Sequence, residues 1–271
     1  CTNPHLDSYL DSIQSVREGL VGNNSLYNAN ASSYMQEQII SITTDMQASI
    51  RDTRLYLDAA DLVRVTEALN LLVDTHQSIS ASANTTAASI ETVVQLAKAT
   101  FEIVGDLLTA GPDTLAAGAV IRSDTNHNNN NSSSNNNNNG NKRAAVIPQL
   151  VERIAETIAE SMVREADNKG LVQSWRLEAE SGMVAAEVTT TNAEEALRAE
   201  QDHGGVVVFS DSVSMASQCV LDSNLAAVSI VHLASTDIFP NTLKPVSEVV
   251  SVVAYNTSLD RVTQLGGSFV S

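Results

Sequence analysis

Apolar residues recur every three or four positions at Leu6, Leu10, Ile13, Val16 and Leu20, a spacing that stacks them on one face of a helix. Met35, Ile39, Ile42, Met46 and Ile50 repeat it, and so do Leu62, Val65, Leu69 and Leu72 after the capping candidates Asp58 and Asp61. A fourth helical stretch runs from Ile90 through Val94, Ala97, Phe101, Val104 and Leu108 and stops at the breaker Gly111-Pro112. Together these stretches predict an α-helical bundle. Between Ser123 and Asn141 the chain becomes almost unbroken Asn and Ser. Such a tract cannot bury apolar surface against the entropy of ordering, so a disordered surface insertion is expected over 123–141. Helical periodicity resumes with Ile147, Val151, Ile154, Ile158 and Met162, with Pro148 tolerable in a first turn.

After Asn168-Lys169-Gly170 the pattern changes to short alternating or continuous β-branched runs. Met183–Thr190, Gly205–Phe209, Leu225–Leu233, Val246–Ala254 and Ser268–Ser271 are the predicted strands, punctuated by Gly204-Gly205, Pro240, Pro245 and Gly266-Gly267. The expected fold class is α+β, with an N-terminal α-helical bundle subdomain over 1–168 and a β-sandwich-like subdomain over 169–271. The last strand candidate has no evident partner, so the sheet reads as incomplete, lacking its last strands.

Composition narrows this picture. With 271 residues the chain can form one large domain or two modest ones, and 43% apolar content argues against wholesale disorder. Aromatics are only 4%, so the core must rest on Leu, Ile, Val and Ala. A net charge of −17 argues against nucleic acid and against an anionic membrane face, both of which call for clustered Lys and Arg. Solubility is the plain consequence of that acidity. There is no run of about 18 uncharged apolar residues, so no transmembrane span is expected within the chain. It opens on Cys1 without a charged-then-apolar leader and reads as an internal segment of a larger protein.

Sequence signatures of chemistry are few. A Walker phosphate loop, a glycine-rich dinucleotide fingerprint and the nucleophile elbow Gly-x-Ser-x-Gly are all missing. His5, His76, His127, His203 and His232 lack the i, i+4 spacing that sets two metal ligands on one helical face. Cys219 with His203 or His232 has no orienting group or oxyanion site in view, so Cys219 reads as structural. Asp61 with Glu67, and Glu156 with Glu160, come nearest to paired carboxylates, and their helical setting makes both pairs read as solvated faces. No catalytic, cofactor-binding or metal residue is assigned, and the chain is expected not to be an enzyme.

Acceptor sequons are more informative. Asn23, Asn30, Asn84, Asn130, Asn131 and Asn256 each satisfy Asn-x-Ser/Thr in predicted loops or at element ends, which suits a secreted, glycosylated surface.

Three stretches carry a family resemblance. Cys1-Thr2-Asn3-Pro4 before an amphipathic helix looks like the exit from a hormone-receptor-like module. Asp61-Leu62-Val63 through Ala68-Leu69-Asn70-Leu71-Leu72 resembles a third-helix pattern in which an acidic residue precedes a Leu-rich face. Leu150 to Met162, followed by Met183-Val184-Ala185-Ala186-Glu187-Val188, is similar to a last long helix and a first sandwich strand. In this order they resemble the GAIN domain of adhesion G-protein-coupled receptors across nearly the whole chain, through pattern and order more than any single motif.

The resemblance implies an extracellular scaffold at the plasma membrane that holds a downstream tethered-agonist strand and regulates a seven-helix domain of the same protein. Extracellular protein ligands would be the other partners, and Cys1 would be a candidate for a disulfide to residues outside the chain. The family's proteolysis site would follow Ser271, and Trp175 belongs to the helix-to-sheet junction, so no cleavage residue carries over. Polycystin-type membrane proteins resemble this architecture too. A non-signalling cell-surface adhesin or structural protein is the alternative from a different class.

Overall fold

The computed structural model describes residues 5–22, 29–82, 90–109, 146–169, 172–202, 204–211, 213–234 and 248–262. The Asn-rich tract over 123–141, the Gly111-Pro112 breaker and the strand candidate Ser268–Ser271 lie outside them. Within them the chain is α+β, helices first and antiparallel sheets after, as the periodicity predicts.

Among the described residues five helices form the first part: α1 (His5–Gly22), α2 (Ala29–Thr53), α3 (Ala59–Ser82), α4 (Ile90–Leu108) and α5 (Val146–Lys169). The α3 face of Leu62, Val65, Leu69 and Leu72 is fully buried, and truncating any such leucine to alanine costs about 2–5 kcal/mol. Asp58 is the N-cap of α3, its Oδ1 accepting the Ala60 and Asp61 N–H groups at 2.9 Å each. Those bonds hold the Asp58 pKa below the usual carboxylate range. Asp61 reaches back to the Asp58 N–H at 3.4 Å, closing a reciprocal cap.

With so few aromatics, the helices bury threonines instead. Thr43, Thr66 and Thr100 are buried because each hydroxyl donates to the carbonyl four residues earlier, at 2.6, 2.7 and 2.8 Å. The last two turns of α4, Phe101 to Leu108, are buried on every side, since α4 touches α2, α3, α5 and the sheet. A Cβ on Gly105 would lie 2.6 Å from the Ala179 Cβ, so glycine sets how closely α4 approaches the sheet.

The second part contains β1 (Ser174–Glu178), β2 (Val184–Thr190), α6 (Ala193–Asp202), β3 (Val206–Val208), β4 (Ser214–Ala216), α7 (Ser217–Asp222), β5 (Leu225–Leu233) and β6 (Val249–Asn256). An antiparallel four-stranded sheet runs in the order β1-β2-β5-β6, beside a two-stranded β3-β4 ribbon. Side chains alternate across the sheet. Leu177, Val184, Ala186, Val188, Val231 and Tyr255 join the helices in one continuous core. Val228, Ile230 and Ala254 face the other way, into a smaller core under α6, α7 and the ribbon. Being covered on both faces explains the nearly continuous burial of β5, apolar but for Ser229 and His232.

Candidate functional site

Beyond β6 the chain turns back on itself. The turn is held by Asn256, whose Oδ1 accepts the Ser258 and Asp260 N–H groups at 2.9 Å each. Thr257 N–H donates to the Asn224 carbonyl at 2.9 Å. These bonds force Leu259 into the left-handed region, φ 65°, which a branched side chain occupies only under constraint. The returning segment then begins to pair with the outer edge of β6. Asn256 N–H donates to the Asp260 carbonyl at 3.0 Å, Val262 N–H to the Ala254 carbonyl at 2.9 Å, and Tyr255 faces Arg261 between them.

The alternation of an antiparallel ladder follows from those bonds. Ala254 and Asn256 turn their main-chain groups away from β5, so Val252 and Val250 do as well. Among the described residues nothing pairs with the edge beyond Val262. Val250 is half exposed.

Arg261 reaches the helical layer from this edge. Its Nε donates to Glu156 Oε1 at 3.3 Å and its Nη2 to Oε2 at 2.9 Å, a forked contact with α5. The contact raises the Arg261 pKa further above its ordinary value. One turn earlier on α5, Glu152 accepts the Ser251 hydroxyl at 2.6 Å. One turn later, burial raises the Glu160 pKa beside Arg164 at 3.7 Å. Tyr255 is buried beneath, its hydroxyl 3.4 Å from that of Ser229, and burial pushes its pKa up to about 12.

The opposite margin of the sheet is fastened differently. Arg51 on α2 pairs with Glu102 at 3.2 Å and Asp106 at 3.1 Å on α4, and with Glu180 at 2.9 Å in the β1–β2 turn. Arg54 adds a second contact to Asp106 at 3.5 Å. Glu102 and Asp106 are both buried, and the Glu102 carboxylate also accepts the Glu180 N–H.

A cleft of about 560 Å³ opens on the sheet's outer face, in front of the ribbon tip at Phe209 to Asp211. Arg176, Glu178, Glu187, His232 and Glu248 line it, and His232 Nδ1 lies 3.3 Å from Glu248. It contains no Cys, and its acids are spread over two strands and two loops.

No protein-family model matches the chain, and no curated protein matches it.

His232 is tied to Glu248 at the cleft, Cys219 is half-buried in α7, and His203 lies outside the described residues. The expectation of solvated carboxylates needs correcting. Asp61 is buried at the start of α3, while Glu156 and Glu160 are half-buried on α5; only Glu67 is exposed. Each is drawn in by a partner or by packing that the local sequence does not display. His76 is wholly buried, with no hydrogen-bond partner for either ring nitrogen among the described residues. Burial pushes its pKa down to about 3, against the upward pull of the nearby Leu96 carbonyl, which stands outside hydrogen-bonding geometry.

Among the described residues no group of three His, Cys, Asp or Glu is placed to hold a metal, and no helix is long and apolar enough to cross a membrane. Of the sequons, Asn256 ends β6 and Asn30 lies in the first turn of α2. Asn23, Asn84, Asn130, Asn131, Cys1 and His127 lie outside the described residues.

Proposed function

We propose that the chain is a non-catalytic extracellular scaffold of the kind found in adhesion G-protein-coupled receptors, in which the outer edge of β6 receives a downstream strand. The observation that carries this reading is the return of Asp260–Val262 onto that edge, with the main chain of Val252 and Val250 directed the same way. The order of parts, helical bundle then antiparallel sheet, supports it as well. A strand held there is released or retained according to the relative stability of the two states, and extracellular ligands or force act by shifting that balance.

Val252→Pro in the intact protein at the cell surface tests the proposal. Proline removes an N–H aimed away from β5, so the β5–β6 ladder is spared while an incoming strand loses a donor. Surface expression should persist and basal G-protein signalling should change by about two- to tenfold, the equivalent of one lost hydrogen bond. Unaltered signalling at equal surface level would overturn the receptor reading and favour an adhesin.

A further inference from the structure

We propose that the Arg261–Glu156 pair is a latch that fastens the returning segment Asp260–Val262 to α5 and sets how readily the outer edge of β6 opens. The inference deepens the receiving-edge reading and rests on it. Two main-chain bonds, Asn256 N–H to Asp260 and Val262 N–H to Ala254, hold the segment to β6. The strained Leu259 backbone works against them. Asp260 N–H also donates to Asn256 Oδ1, and Val262 packs against the smaller core. The forked ion pair is a further tie, which joins residues 105 positions apart in sequence and links the segment to the helical layer. Glu156 is the α5 carboxylate placed for it. Glu152, one turn away, is engaged by Ser251, and Glu160 lies beside Arg164.

Three features make this contact a latch more than a permanent rivet. Solvent reaches it, since the Arg261 side chain is 44% and the Glu156 side chain 21% exposed. Its strength is therefore moderate and falls as salt screens it. Finally, Arg261 faces Tyr255 across the ladder, so moving the guanidinium off Glu156 releases the strand position directly opposite β6.

Amide exchange in the purified whole chain tests the latch. Val262 and Asn256 N–H report the return, and Val253, whose main chain faces β5 by the same alternation, reports the sheet itself. Glu156→Gln and Arg261→Gln should each speed exchange at Val262 and Asn256 about fivefold, leaving Val253 unchanged. Wild-type chain in about 1 M NaCl should show the same selective rise. The double variant Glu156→Arg with Arg261→Glu should restore protection to within about twofold. Unchanged exchange at Val262 in the single variants and in high salt would overturn the latch, as would equal acceleration at Val253. If the latch responds but Val252→Pro leaves signalling unaltered, the latch stands and the receptor reading fails.

Discussion

The sheet is tied to the helical layer near both of its lateral strands, and the two ties differ in kind. Near β1, Arg51 and Arg54, each about a third exposed, meet the buried carboxylates of Glu102 and Asp106, and Glu102 also holds the Glu180 backbone. Near β6, the partly exposed pair Arg261 with Glu156 holds a strained turn, beside the Ser251 hydroxyl bonded to Glu152. Buried carboxylates that lose their cation gain little water in exchange, so breaking the first tie costs more. Charges that solvent already touches separate at small cost. One margin of the sheet is thus fixed by its chemistry and the other is suited to open and close.

The largest expected effect is at the fixed margin. Arg51→Ala leaves Glu102 and Asp106 buried with only Arg54 nearby, and should cost about 3 kcal/mol in urea unfolding. Arg261→Ala should cost less than about 1 kcal/mol in the same assay. A loss within about 0.5 kcal/mol for Arg51→Ala would erase the contrast.

Acid should act next most strongly, and on the helical layer. His76 is neutral when folded, with a pKa near 3 against 6.5 unperturbed, so the unfolded chain binds more protons between those values. Its contribution to stability is whole above pH 6.5 and is lost as pH falls toward 3, with a limiting slope of about 1.4 kcal/mol per pH unit. Unfolding free energy should drop by about 2 kcal/mol from pH 6.5 to pH 5 on this account, and His76→Leu should flatten that fall. An identical pH slope in the variant would show that other groups carry the acid sensitivity.

The helices were legible because their apolar stripes are long and their caps are local. Asp58 and Asp61 mark the start of α3 within four residues of sequence. The strand runs Met183–Thr190 and Leu225–Leu233 correspond to β2 and β5, which are apolar because they lie inside the sheet. β1 was not legible. Only Leu177 of its five residues is buried, so no alternation of apolar side chains announces an edge strand. The α6 helix buries only Ala196 and Ala199, too small a stripe to read. Both ties of the sheet were invisible for another reason. Arg51 and Glu102 are 51 residues apart and Arg261 and Glu156 are 105 apart, and only the fold brings them together.

The most direct test of the fixed and opening margins is native-state amide exchange of the wild-type chain, read at four positions. Ala179 and Glu180 report the β1–β2 turn, bonded to the Val184 carbonyl and to Glu102. Asn256 and Val262 report the return onto β6. The account predicts that Asn256 and Val262 exchange through a local opening that does not expose Ala179 or Glu180, which open only with global unfolding. Equal opening free energies at all four amides, tracking denaturant together, would contradict it.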